Sequence, residues 1–218
     1  MNDSYDVSGL LPNDGVGELP AGTNVAIVGP SMSGKRELAL QLLATEYEPG
    51  EGILCITTDG AETMYNALER YVDSLYRNCV GIVDTSGHDG QAVLDAMVEN
   101  VSSPSDLTGI SIGMAKLFKK FKSYGITDIR SGLISISTLL QHLSSQKVFK
   151  FLHIYTKRVS QTCGLGIYTL DDDSHDQQVV NTITGQFDGV IQLRETDTGE
   201  RECRVRGFGQ RGTSWATF

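Results

Sequence analysis

The chain has no apolar run long enough to span a bilayer, which excludes a helical membrane span. Its opening residues are polar and acidic and lack the basic and apolar regions of a secretory signal. A soluble cytoplasmic protein without membrane insertion is therefore expected. Cysteine is scarce: Cys55, Cys79, Cys163 and Cys203 show no C-x-x-C and no Cys/His ligand spacing, so reduced thiols packed in strands are expected rather than zinc or disulfides. No internal repeat is present. Basic residues are few, 18 against 27 acidic ones for a net charge of -9, which weighs against a general nucleic-acid binder. The 218 residues suffice for one α/β domain with a large core.

The charge is unevenly spread. Residues 1–110 carry 4 basic and 17 acidic side chains, residues 111–160 carry 9 and 1, and residues 161–218 carry 5 and 9. The basic middle segment reads as a solvated helix face or as a docking surface for an acidic partner. Residues 1–20, rich in Asp, Gly and Pro without periodicity, read as a flexible arm before a single domain over 21–218. Strands are expected at Val25–Val28, Ile53–Thr57, Val80–Val83, Leu133–Ile136, Gly166–Leu170, Gly189–Leu193 and Cys203–Val205. Helices are expected at Lys35–Thr45, Glu62–Tyr76, after a Ser105 cap, at Val148–Val159 and at His175–Gln186. The alternation predicts an α/β fold: a mainly parallel twisted sheet, helices on both faces, and late antiparallel strands turning at Thr198-Gly199.

The most informative segment follows the first core strand. Gly29, Pro30, Ser31, Met32, Ser33, Gly34 and Lys35 have the spacing of a phosphate-binding loop, with a strand before and a helix after. Such a loop presents backbone N–H groups, a helix N-terminus and an ammonium to phosphate oxygens. The hydroxyl that should follow the lysine is missing. Arg36 stands there instead, as an extra phosphate contact or as a solvated first-turn residue. The strand Leu133-Ile134-Ser135-Ile136-Ser137 likewise has no carboxylate to hold a metal, and Asp128 lies before it. Two magnesium contacts are thus absent, which argues against ordinary magnesium-assisted hydrolysis. Ser135 and Ser137 read as weak ligands or as strand-end filling.

Asp59, after Thr58 at the end of the second strand, is the candidate catalytic residue as a base or water-orienting group; its alternative is a plain loop with Gly60. Asp84 ends the third strand and carries the same two readings. The run Asp171-Asp172-Asp173-Ser174-His175-Asp176 reads as a Ser174 cap with acids favourable to the helix dipole, rather than as a metal cluster. His88, His142 and His153 have no partner that spacing identifies.

Taken together, Gly29–Lys35, Thr58-Asp59, Leu133–Leu140 and Arg204-Val205-Arg206-Gly207 resemble the RecA/KaiC/RadA group of ATPases over nearly all of residues 20–215. The segments Ser103–Ile110, Ser137–Leu140, Val148–His153 and His175-Asp176 are similar to an uncharacterised RecA-like, KaiC-like family of haloarchaea with degenerate ATPase motifs. An acidic chain is the salt-adapted type in such a host. The resemblance implies a RecA-like core with degenerate ATPase motifs and no known reaction, with Arg204 and Arg206 reaching a neighbouring subunit's nucleotide. It also implies a homo-oligomer or a RecA/KaiC-type protein partner. The intact Gly34-Lys35 pair beside the missing metal contacts leads us to expect ATP or ADP bound weakly at Gly29–Arg36. Strand exchange is not implied, because Ser137–Lys147 is short and Asp171–Asp176 would repel phosphates. Nucleic acid is therefore not an expected partner, and no aromatic arrangement accompanies Lys116–Lys122. Three readings follow: a nucleotide-binding regulatory or assembly protein with little hydrolysis, an active ATPase of the same fold using Asp59, and an interaction scaffold docking through the basic segment.

Overall fold

Every core strand buries alternate residues on opposite faces, and this parity builds the molecule. A computed structural model describes residues 3–11, 16–72, 74–87, 97–162, 164–208 and 212–218; His88 and Cys163 lie outside the described residues. A short ribbon pairs β1 (Ser4–Asp6) with β2 (Glu18–Pro20). The main sheet contains β3 (Asn24–Gly29), β4 (Gly52–Thr57), β5 (Val80–Asp84), β6 (Val98–Asn100), β7 (Ile129–Ile134), β8 (Gly166–Asp171), β9 (Gly189–Glu195), β10 (Arg201–Gly207) and β11 (Ala216–Thr217). The strand order is β11-β10-β9-β3-β8-β7-β4-β5-β6, parallel from β9 through β6 and antiparallel at β9–β10 and β10–β11. The expected mainly parallel sheet with late antiparallel strands is the sheet observed.

On one face Val25, Ile27, Ile53, Cys55 and Ile191 pack against α1 (Lys35–Ala44), α2 (Ala61–Glu69) and the ribbon. On the other, Ala26, Val28, Leu54, Ile56 and Tyr168 pack against α3 (Leu107–Ser123), α4 (Ile136–His142), α5 (Ser145–Gln161) and α6 (Gln177–Thr184). A strand covered on both faces needs apolar residues at every position, which is why β3 reads as an unbroken hydrophobic run.

Several expectations are corrected. The segment expected to be a flexible arm is folded where it is described: Tyr5, Val7, Leu11, Val16 and Leu19 are buried in the core. Its apolar residues are too widely spaced to signal this, and docking against α1 decides it, with the Thr45 hydroxyl donating to Asp6 O at 2.9 Å. α2 stops at Glu69, although Val72 is still buried and Leu75 packs against the core. Periodicity there reported burial beyond the helix. Asp106, not Ser105, caps α3, accepting from Gly109 N at 2.8 Å. α6 begins after Asp176, so Ser174 is not its cap. β7 runs earlier than expected, over Ile129–Ile134, and α4 follows at once because Ser135 caps it. The early half of β7 was hidden by Arg130, a charged residue that is 1% exposed inside the strand.

Three cysteines, Cys55, Cys79 and Cys203, are free and buried. Burial pushes the Cys55 thiol up to about 12 and that of Cys203 up to about 11, so both are protonated at neutral pH and are poor nucleophiles.

Candidate functional site

The loop between β3 and α1 is shaped by two glycines with different physical duties. At Gly29, β9 comes so close that a Cβ would lie 2.8 Å from Leu193 O. At Gly34, the N-cap of α1, φ is 89°, and a Cβ would lie 3.2 Å from a terminal nitrogen of Arg201. Between them Met32 has φ 62° and is 92% exposed at the loop tip. Ser33 N donates to Pro30 O at 3.2 Å, tightening the turn. The N–H groups of the first turn of α1 have no acceptor inside the helix and so remain available to an anion.

Lys35 is buried, and its ammonium donates to Pro30 O and to Ser33 Oγ at 3.3 Å. It also forms an ion pair with Asp171 at 2.9 Å. β3 pairs with β8 so that Gly29 stands opposite Asp171, which carries this carboxylate to the loop. Asp173 reaches the same loop, its carboxylate accepting from Ser31 N at 3.1 Å and from Ser31 Oγ at 3.4 Å. The Ser31 amide holds the Asp173 carboxyl below its ordinary value, while burial raises that of Asp172. The sequence reading assigned this acidic run to the dipole of α6. The structure instead places Asp171 and Asp173 against the loop.

Arg36 is not free: its guanidinium is paired with the Asp59 carboxylate at a partly exposed position. A cavity of about 350 Å³ opens here, lined among others by Lys35, Arg36, Asp59, Ser135, Thr169 and Asp171. These residues do not fit a magnesium ion. A guanidinium occupies the place of the metal-holding hydroxyl, and β7 offers no carboxylate. Ser135 accepts from Ser137 N at 3.0 Å, and Ser137 Oγ accepts from Asp171 N at 2.9 Å, so both hydroxyl oxygens are engaged with the backbone. Asp84 accepts from Ala61 N at 2.7 Å and from Ser86 N at 2.8 Å, a structural role tying α2 to β5.

The arginines divide unexpectedly. Arg204 stands opposite Gln192 on β9, to which its Nε donates at 2.7 Å, and its guanidinium lies 4.5 Å from the Trp215 ring centre. Arg206 stands opposite Val190, level with Ala26 and so toward the start of β3. Because β10 runs antiparallel, its first residue, Arg201, lies at the Gly29–Lys35 end. No sequence signal singled out Arg201; only the hairpin register brings it to Gly34. A second cavity, of about 500 Å³, flanks Gly34 there, with Arg201, Glu37, Gln41, Leu10 and Phe218 in its wall.

Four of the nine basic residues of the segment 111–160 are engaged within the molecule. Arg130 is buried, Lys116 and Lys120 pair with Glu99 at 2.8 and 3.0 Å, and Arg158 lies 4.9 Å from the Phe118 ring centre. His153 is taken up by Gln186 at 3.2 Å, and His142 lies in the last turn of α4.

A family model matches residues 22–193, spanning β3 through β8, the loop after β3 and most of β9. The chain belongs to DUF7504, a family of unknown function. Among solved structures, the DUF7504 chain is similar to the KaiC-like protein PH0186 from the hyperthermophilic archaeon Pyrococcus horikoshii OT3. The two share 16% identity at a TM-score of 0.65, over 100% of this chain and 93% of the other. That likeness establishes the RecA-like, KaiC-like fold. No curated protein sequence matches the chain. Among the described residues, no helix is long and apolar enough to cross a membrane.

Proposed function

We propose that this DUF7504 protein is a nucleotide-responsive regulatory or assembly protein of RecA/KaiC-like fold that binds ATP or ADP weakly and hydrolyses it near background. The proposal extends to the haloarchaeal family with degenerate ATPase motifs that the sequence resembles, and to a cytoplasmic setting. The observation that carries it is the pair of side chains ending the loop: Lys35 lines the cavity with its ammonium beside Asp171, while Arg36 stands where a metal-holding hydroxyl belongs and is paired with Asp59. Phosphates in the cavity at Lys35 would meet a fixed ammonium and the first turn of α1. The cavity beyond Gly34 gives a nucleoside an aromatic wall in Phe218 and polar edges in Glu37 and Gln41.

The ATPase alternative needs Asp59 as a base, and Arg36 holds that carboxylate in an ion pair. Calorimetry with ATP and ADP is expected to give weak binding that changes little between excess magnesium and EDTA. Turnover is expected to stay near background, and Arg36→Thr alone does not rescue it because β7 still lacks a carboxylate. Robust wild-type hydrolysis lost in Asp59→Ala establishes the ATPase instead. No nucleotide bound at millimolar concentration leaves the scaffold reading.

Assembly is the proposed output. The segment 111–160 keeps Lys119, Lys122, Lys147, Lys150 and Lys157 on an otherwise acidic chain, so head-to-tail self-association of opposite charge is favoured. Arg206 at the end of β10 is the proposed reaching element, with Arg204 released from Trp215. Light scattering is expected to show association that weakens as salt rises, since exposed charges are screened. A strict monomer at every salt and nucleotide condition removes any trans role for Arg204 and Arg206.

A further inference from the structure

The Gly29–Lys35 loop is surrounded by carboxylates from this same chain. Asp171 forms an ion pair with Lys35 at 2.9 Å, and Asp173 accepts from Ser31 N at 3.1 Å. The backbone around them is pinned: Asp171 N donates to Ser137 Oγ at 2.9 Å, and Asp172 N donates to Gly29 O at 3.1 Å. β8 therefore keeps its register to the end, and Asp173 is the first exposed residue after the last of these backbone bonds, held to the loop only through its side chain. A carboxylate on an ammonium or a loop amide makes the charge-assisted hydrogen bonds that a phosphate oxygen would make there. Both cannot be satisfied by the same donors.

We infer that Asp171 and Asp173 are built-in competitors for the loop, so that anion binding at Lys35 and release of the 173–176 segment form one coupled step. This rests on the nucleotide reading above and adds its regulation. The coupling has a physical output. Asp173, Ser174, His175 and Asp176 line a separate cavity of about 470 Å³ together with Leu140, Ser145 and Val179, where α4, α5 and α6 meet. Asp176 is also the N-cap of α6, with its backbone carbonyl accepting from Val179 N and Val180 N. Releasing Asp173 loosens the entry to α6 and reshapes that cavity. Bound anion at one end of β8 is thereby reported at the surface between three helices. Each ligand shifts such an equilibrium only by its differential affinity for the two states. Here the two states differ in whether the Asp171 and Asp173 carboxylates or the incoming anion hold the loop donors.

The test compares affinities for ATP, ADP and inorganic triphosphate in EDTA at fixed salt across four proteins: wild type, Asp171→Asn, Asp173→Asn and Asp176→Asn. The last removes a charge from the same segment without a loop contact, and so measures general electrostatics. Asp171→Asn and Asp173→Asn are each expected to tighten binding by about threefold to tenfold, and Asp176→Asn by less than about twofold. Hydrogen exchange at the amides of 174–180 is expected to speed up in wild type when triphosphate binds, and to be fast in unliganded Asp173→Asn. Wild-type binding that is unchanged in Asp171→Asn and Asp173→Asn, or changed equally in Asp176→Asn, overturns the competition and leaves the nucleotide reading standing. Protection rather than exposure of 174–180 on binding also overturns it. If none of the four proteins binds at millimolar ligand, the nucleotide reading fails and this inference with it.

Discussion

Replacing Arg130 with methionine is expected to lower the stability of the fold by about 3–5 kcal/mol, because it leaves an uncompensated charge and several carbonyls in the core. Arg130 is 1% exposed in β7, and its guanidinium pairs with Glu51 at 2.8 Å. The same group donates to Thr45 O, to Glu46 O at 3.1 Å and to Leu43 O at 3.4 Å, which are carbonyls at the end of α1. The Tyr5 ring covers it, with its centre 4.8 Å away. One side chain therefore closes the C-terminus of the helix that carries the loop, and seats the N-terminal ribbon as well. Urea denaturation of Arg130→Met should show a lower midpoint at unchanged slope. The double variant Arg130→Met/Glu51→Gln should recover part of the loss, since it removes the stranded carboxylate and leaves only the unmet carbonyls. A loss below about 1 kcal/mol in the single variant would falsify the clamp as a major element of stability.

Lys35→Ala is expected to weaken nucleotide binding by about a hundredfold or more, beyond detection for a weak wild-type site. Two effects act in the same direction. The ammonium proposed to meet the phosphates is gone, and Asp171 loses the partner that neutralises it at 2.9 Å. The phosphates then face a bare carboxylate instead of a cation. Fold stability should change little, because the Asp171 side chain is 25% exposed and can be hydrated once Lys35 is removed. Adding Asp171→Asn to Lys35→Ala should restore part of the binding, and the double-mutant cycle then separates lost attraction from unmasked repulsion. Calorimetry on the four proteins decides this. Affinity in Lys35→Ala within about threefold of wild type would mean that phosphate does not sit at this lysine.

What the sequence determined by itself is local. The run Val25–Val28, the spacing of Gly29, Gly34 and Lys35, and the helix after them lie within a few residues of one another, so their joint geometry is carried by backbone preferences and burial parity. The missing hydroxyl at Arg36 and the missing carboxylate on β7 were legible for the same reason: each is a single position inside a recognisable element. The alternation of strands and helices followed from periodicity, because strands covered on both faces and helices covered on one leave different apolar patterns.

Only the tertiary structure decided which charges meet. Asp171 reaches Lys35 because β8 pairs beside β3, Arg201 reaches Gly34 because β10 runs back along β9, and Glu51 meets Arg130 because β7 lies next to β4. Strand order and register set these encounters, while a charged residue in the chain carries no mark of its future partner. The ribbon at 3–11 and 16–20 shows the same limit, since its scattered apolar residues acquire a face only when α1 and Arg130 provide one. Ion pairs and docked segments depend on distance in space, and distance in space is what the order along the chain leaves open until the sheet has formed.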